Sequence, residues 1–472
     1  MSEQQSTTMT ARMPARSMGL KLLLVCLLAL LMSIPALFVF ALLSDRTNRA
    51  EQVTQEVGGL SGGPQTFLGP VLAVPYRVSA EPAAAGKAAE PAIDGVLVVF
   101  PVEGSVSAAV DSEVRQRSLF KVPVYGTDLA FRGRFDLAGA AVYAPQRAVL
   151  DWSRAELVLG ASDARGAKAD IVVSVGDQRM LAAPSITLQD TALAETPEPG
   201  ARRGSSGLVF FGVPAAFAGP DATFEAAAAL KFTGAERLAV LAFAKTTTFE
   251  AKGDWPDPSF DGGFLPTTRT VSEQGFTGQW SVPFIARGVP AAGGPEAISR
   301  LGQTSLGVSF IEPANPYQSV ARSLKYALMF VGLVFLAYFL FETMAKKRVH
   351  PAQYVLIGLA QIIFYLLLLS IAERIGFDGA FAISAGATVA LISAYAGWVF
   401  ESRRQGVIAL VAFTGLYALI YVLMRLEDFA LLIGALTSFA AIAAVMYFTR
   451  GIDWYGVAGQ ASSTAPATEE RA

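Results

Sequence analysis

One histidine, His350, and one cysteine, Cys26, stand in a chain of 472 residues. With one imidazole, a Ser-His-Asp triad, a Cys-His dyad or a multi-histidine metal site could draw on no histidine but His350. Cys26 has no second cysteine for an intrachain disulfide. Asp254, Asp257 and Asp261 are closely spaced, beside Gly262-Gly263. This set lacks the 1, 3, 5 register and the closing glutamate of an EF-hand calcium loop, so turn chemistry is the better reading. No G-x-x-x-x-G-K-[ST] phosphate loop occurs. The lysines between residues 44 and 322 (Lys87, Lys121, Lys168, Lys231, Lys245, Lys252) carry no motif that would make one the base of a Ser-Lys pair. These residues predict no catalytic site, no cofactor and no metal.

The polar groups set in apolar surroundings are more informative. Tyr354, Gly358, Gln361 and Tyr365 follow one another at spacings that put them on one helical face. Gln361 lies near the middle of its apolar run, where lipid cannot satisfy an amide, so it should face another helix. Packing with an interhelical hydrogen bond is the plainer reading, and a substrate site would use the same groups. Gly386, Ala390, Ser393 and Gly397 have the same spacing and predict close helix packing. Glu373 and Arg374 follow one apolar run; Arg425, Glu427 and Asp428 follow another. They are candidates for a docking or ligand site, against the plainer reading of solvated flanking charges. His350-Pro351 reads as a helix entry, with proline preorganised in the first turn. A pH-sensitive histidine is the alternative.

The elements that must hold these groups are membrane spans. Hydrophobic residues make up 53% of the chain and charged ones 16%, with a mean hydropathy of +0.45. Soluble domains carry about 25% charge. This composition excludes a disordered chain, and the net charge of −2 attracts no nucleic acid. Residues 22–43 form an apolar run that reaches about 33 Å as a helix, enough for a bilayer core. It is longer than a signal-peptide core, so it predicts an uncleaved anchor, with Pro35 as a tolerated kink. Five more runs follow, at 323–341, 352–371, 379–400, 406–424 and 429–448.

Short cytoplasmic loops are enriched in Lys and Arg. The N-tail, the turns after the second and fourth spans, and Arg450 just past the last carry nine such residues; the opposite turns carry two, Arg374 and Arg425, with Arg46 and Arg49 just past the anchor counting against the asymmetry. The layout predicted is a cytoplasmic tail 1–21, an anchor 22–43, a translocated domain 44–322, a five-helix bundle 323–448 and a cytoplasmic tail 449–472.

The translocated domain reads as β-rich. Short Val, Ile, Phe, Tyr and Thr runs recur between Gly, Pro and Asp. Strands are expected at 71–78, 96–102, 118–125, 129–137, 156–159, 171–175, 208–213, 223–232, 238–249, 267–271, 276–284 and 305–311. That number predicts two packed sheets or two β subdomains. Residues 80–92 and 191–206 read as loops, and the second is a candidate boundary between halves near residue 200.

Four stretches of this sequence resemble the CreD family of bacterial inner-membrane proteins. They are Gly69-Pro70-Val71-Leu72-Ala73-Val74-Pro75-Tyr76, Lys121-Val122-Pro123-Val124-Tyr125-Gly126, and the segment from Trp255 to Trp280. The most specific begins Glu312-Pro313-Ala314-Asn315-Pro316-Tyr317. It continues through Leu324-Lys325-Tyr326, Phe339-Leu340-Phe341-Glu342, His350-Pro351-Ala352-Gln353-Tyr354 and Phe364-Tyr365. The resemblance covers nearly the whole chain. It implies a multi-pass protein of the bacterial inner membrane, with the large domain in the periplasm, linked to cell-envelope integrity and to the CreBC two-component response. It brings no catalytic residues.

Residues and resemblance together predict a non-enzymatic membrane protein. Its β domain would bind an envelope protein or cell-wall component, and its bundle would hold that domain at the lipid bilayer. The alternative is a transporter or channel subunit for a neutral or lipid-like substrate; no predicted span carries a charge near its centre, which weighs against ion-coupled transport but not against such a substrate. An envelope hydrolase is disfavoured by the single histidine.

Overall fold

A computed structural model of the chain describes residues 18–80, 92–188, 207–310, 316–345, 349–425 and 430–450. The expected loops at 80–92 and 191–206, the Lys346-Lys347-Arg348 turn, Glu427, Asp428 and both tails fall wholly or mainly outside these residues. The chain divides into two compact units, one of residues 50–313 and one of residues 1–49 with 314–472.

The first unit is built of β-sheet, ten strands in one sheet and eight in the other among the described residues. The strand Gln65–Val78 is buried almost throughout, because its run of Leu, Val, Ala and Pro has no polar alternation. It pairs antiparallel with Ile93–Val99 and Glu156–Ala161, and parallel with Arg237–Leu241. The register shifts between Leu68 and Val71, a bulge that takes in Pro70, which lacks a ladder donor. At Gly69 a Cβ would lie 2.7 Å from the Phe243 ring, so the backbone passes that ring only as glycine.

The second sheet is a run of long antiparallel strands, Glu103–Arg117, Phe120–Asp136 and Thr223–Ala235. Inward residues of both sheets share one apolar core. Phe67 meets Phe232 edge-on at 5.1 Å and Phe131 meets Phe243 at 5.8 Å.

The structure corrects several expectations. Residues 118–125 and 129–137 belong to one strand, because Gly126 and Thr127 stay in the ladder opposite Thr233 and Phe232. The expected strand 238–249 is two, Arg237–Leu241 in one sheet and Thr246–Gly253 in the other. Thr247 holds the bend: its Oγ1 accepts from Ala244 N at 3.0 Å and donates to Ala244 O at 3.2 Å. No boundary divides the unit near residue 200, since Val209–Pro214 pairs with Glu156–Ala161 and Thr223–Ala235 with Phe120–Asp136.

The second unit is helical. The N-terminal apolar helix runs from Met18 to Leu31 and again from Ser33 to Leu60, longer than the expected 22–43, and its residues 50–60 belong to the β-rich unit. The break at Met32 lies one turn before Pro35, which has no N–H to give the carbonyl of Leu31. Helices Pro351–Ile375, Phe377–Val399 and Arg403–Arg425 match three expected spans in length and composition. The expected span 323–341 is instead a bent pair, Pro316–Lys325 and Ala327–Ala345, meeting at 52°. The bend marks a change from an amphipathic segment with Arg322 and Lys325 to a wholly apolar one. A shorter apolar helix lies at Leu432–Tyr447. Among the described residues, four helices are long and apolar enough to cross a membrane, or five with the bent pair as one span.

Candidate functional site

The β-rich unit carries an open cleft of about 900 Å³ at the C-terminal end of helix Ser33–Leu60. That helix ends in a glycine turn: Ser61 N and Gly63 N donate to Gly58 O at 2.9 and 2.7 Å, and Gly62 and Gly63 take φ of 92° and 62°. Gln65, fully buried, ties the turn to the neighbouring loop. Its amide donates to Gly62 O at 2.9 Å and to Asp163 O at 3.0 Å, and accepts from Ser162 Oγ at 3.1 Å.

Two ion pairs line the cleft. Arg165 makes a forked contact with Asp163, and Arg237 Nε donates to Asp261 Oδ1 at 2.8 Å. Ser309 Oγ also donates to Asp261. Asp254 is occupied elsewhere, accepting from Ser112 N and Oγ at 2.9 and 2.6 Å. Trp255 Nε1 donates to the Asp257 carbonyl at 3.1 Å. The three aspartates thus hold turns and strands, and no metal-ligand cluster occurs among the described residues.

Glu236 differs from these. It sits at the corner where the chain leaves strand Thr223–Ala235 of one sheet for strand Arg237–Leu241 of the other. Its φ is 65°, a left-handed backbone that costs about 1 kcal/mol or more for a residue with a Cβ. The corner is held from both sides: Glu236 N donates to Pro123 O at 3.3 Å, and its carbonyl accepts from Phe310 N at 2.8 Å. The carboxylate lines the cleft and has no hydrogen-bond or ion-pair partner among the described residues. Burial alone raises its pKa above the ordinary carboxylate range. One Glu236 oxygen lies 3.7 Å from where a Cβ on Gly58 would sit, so it faces the last turn of the helix, the negative end of its dipole. Sequence reasoning passed over Glu236, because Ala-Glu-Arg between two β-runs reads as a solvated turn.

The helical unit holds a second polar cluster. Glu342, near the end of helix Ala327–Ala345, is buried. It pairs with Lys21 of the N-terminal helix and accepts from Val349 N at 2.8 Å and Tyr354 OH at 2.9 Å. Lys21 also donates to Val349 O at 3.1 Å. In the sequence Glu342 stands out only as the last residue of the stretch Phe339-Leu340-Phe341-Glu342 that carries the family resemblance. The signal that could have found it is a lone acid flanked by Phe341 and Thr343 with a lysine at the start of the first span.

The sequence-predicted residues fall as follows. Tyr354, Gly358, Gln361 and Tyr365 form one buried face of helix Pro351–Ile375. A Cβ on Gly358 would lie 2.6 Å from Met32 Sδ, so this face packs closely on the N-terminal helix. Tyr354 joins the Glu342 cluster. The Gln361 Nε2 is buried without a hydrogen-bond partner, so the expected interhelical bond from that donor is not made. The hydroxyls of Tyr338, Ser384 and Ser393 are in the same condition.

Glu373 accepts from Tyr317 OH at 3.1 Å and lies 3.9 Å from Arg46. Arg374 is exposed. Arg425 pairs with Asp378 at the surface and donates to Tyr421 OH at 3.4 Å. The structure thus joins Glu373 and Arg425 to separate partners rather than to each other. The small-residue face is only half used: Gly397 and Ser393 meet Gly406 of the next helix, whereas Gly386 and Ala390 are exposed because the buried face turns through Ser384, Thr388 and Ile392. His350 caps helix Pro351–Ile375, its Nδ1 accepting from Ala352 N at 3.2 Å and Gln353 Oε1 accepting from His350 N at 2.9 Å.

Residues 17–455 match the family described as Inner membrane protein CreD. The chain is also similar to the inner membrane protein CreD of Escherichia coli (strain K12), 29% identical over 441 residues, which is 90% of this chain and 91% of that protein.

Proposed function

The chain belongs to the CreD family of inner membrane proteins, and from that premise we propose that it supports the integrity of the cell envelope under stress. In this reading it is a non-enzymatic, multi-pass inner-membrane protein with both termini in the cytoplasm. Its β-rich unit works in the periplasm and binds an envelope component or partner protein in the Glu236 cleft.

One observation carries the reading: an unpaired, partly desolvated carboxylate held on a left-handed backbone inside a cleft. Strain and desolvation both cost stability, and groups held at such a cost cluster at functional sites. A strain lacking the protein should regain resistance to a detergent challenge when given the wild-type chain but not the Glu236→Gln chain at equal membrane abundance. Full rescue by Glu236→Gln would remove the cleft from the function.

A second reading has its own support. Tyr338, Gln361, Ser384 and Ser393 bury unpartnered polar atoms among the apolar helices, where such groups are costly. A transport path for a neutral or lipid-like substrate would use them.

A further inference from the structure

The charges around the cleft do not balance. Asp163 is neutralised by Arg165, and Asp261 by Arg237. Glu236 is left as the uncompensated charge among the described lining residues. It faces the C-terminal turn of helix Ser33–Leu60, whose dipole adds negative potential at the same point. A partly buried, unpaired carboxylate beside a helix C-terminus is arranged to receive a cation.

The lining narrows the kind of cation. A quaternary ammonium is normally held by several aromatic faces, and Phe210 is the one aromatic side chain in the described lining. Serine and threonine hydroxyls at Thr66, Ser162, Ser299 and Ser305 accept and donate hydrogen bonds, and Leu208 and Leu241 supply apolar surface. A cation with N–H donors on a partly apolar carrier fits this lining. A volume of about 900 Å³ lies in the range of sites for drug-sized ligands and exceeds what a small diamine fills.

We propose that the cleft binds a primary ammonium group, seated on Glu236 at the end of helix Ser33–Leu60 and carried by a peptide-sized ligand. This deepens the preceding reading and rests on it, since it names what the cleft receives. A free diamine and a lysine-bearing peptide share the same chemistry. The two sources differ in how much of the cleft they fill, so the peptide should bind more tightly.

The test is calorimetric titration of the full chain in lipid nanodiscs with three probes: the tripeptide Ala-Lys-Ala, its Ala-norleucine-Ala analogue, and cadaverine. Ala-Lys-Ala should bind, and replacing lysine by norleucine should weaken binding about 10- to 100-fold, as expected for loss of a charge-assisted hydrogen bond. Glu236→Gln should weaken Ala-Lys-Ala by a similar factor and leave the norleucine peptide unchanged. Tighter binding of cadaverine than of the peptide would overturn the peptide-sized carrier and leave a free diamine as the source of the ammonium group.

Equal affinity for the two peptides, unaltered lysine-peptide binding in Glu236→Gln, or no binding of any probe would overturn the inference. The rescue experiment with Glu236→Gln is independent of these probes. Failed rescue together with absent amine binding would keep the cleft as the functional site and discard only its ligand class. Circular dichroism matching wild type, with a melting temperature no lower, shows that the variant is folded.

Discussion

Glu342 accepts a hydrogen bond from the hydroxyl of Tyr354 at 2.9 Å while its other oxygen takes Lys21 and the backbone N–H of Val349. Two apolar helices and the N-terminal helix therefore meet at one buried carboxylate. Removing a single member of such a pair leaves the other charge without a partner. Lys21→Met or Glu342→Leu should each cost about 3 kcal/mol, whereas the double variant should recover much of that loss. Thermal inactivation of the detergent-solubilised chain, read as a double-mutant cycle, checks this; additive losses would contradict it.

Gln361 stands about two turns beyond Tyr354 on the same buried face, with its amide nitrogen unpartnered. Leucine in its place removes a buried donor that is making no bond. Gln361→Leu should leave helical-unit stability unchanged or raised by about 1 kcal/mol. The envelope reading expects this variant to complement a deletion strain. A stable, correctly inserted variant that fails to complement would move the function into the helices and favour transport.

The raised pKa of Glu236 fixes the sign of a pH effect. Its folded value lies above its unfolded value, so ionisation opposes folding at neutral pH, and the penalty fades as pH falls through the folded value towards about 4.3. The other charged groups lining the cleft, Asp163 with Arg165 and Asp261 with Arg237, are already paired. Glu236→Gln should therefore melt higher than wild type at pH 7.5, with the difference shrinking towards pH 4. Trp152, Trp255 and Trp280 report on this unit by fluorescence. A variant that melts lower at pH 7.5 would mean that Glu236 holds the fold.

Large β-branched and aromatic residues made most strands legible, as in Phe131-Arg132-Gly133-Arg134-Phe135, where inward phenylalanines alternate with exposed arginines. The strand Glu103–Arg117 escaped because its inward residues are Val106, Ala108 and Val110, too small to stand out among serines. The bend at 242–245 escaped because burial continues through Ala242, Phe243 and Ala244 while the chain changes sheets. The helical face of Tyr354, Gln361 and Tyr365 was legible from spacing alone. Glu236 and Glu342 were not, because what distinguishes them is the tertiary surroundings: a cleft in one case, and a lysine 321 residues away in the other.

The asymmetry of nine basic residues against two in the short flanking segments makes a topological prediction. In a Cys26→Ser background, a membrane-impermeant maleimide applied to intact spheroplasts should label Asp177→Cys, an exposed turn of the β-rich unit. It should spare Arg404→Cys until the membrane is broken. The reverse pattern would invert the proposed orientation.

The central claim is that the β-rich unit engages an envelope component through the Glu236 cleft. The most direct measurement is in vivo photocrosslinking from Ser299, an exposed residue of the cleft lining, in cells under envelope stress. The account predicts a discrete adduct that is absent when Glu236→Gln is combined with the same crosslinker, and absent from a crosslinker placed at Asp177. No adduct from Ser299, or the same adduct with and without the Glu236 carboxylate, would contradict it.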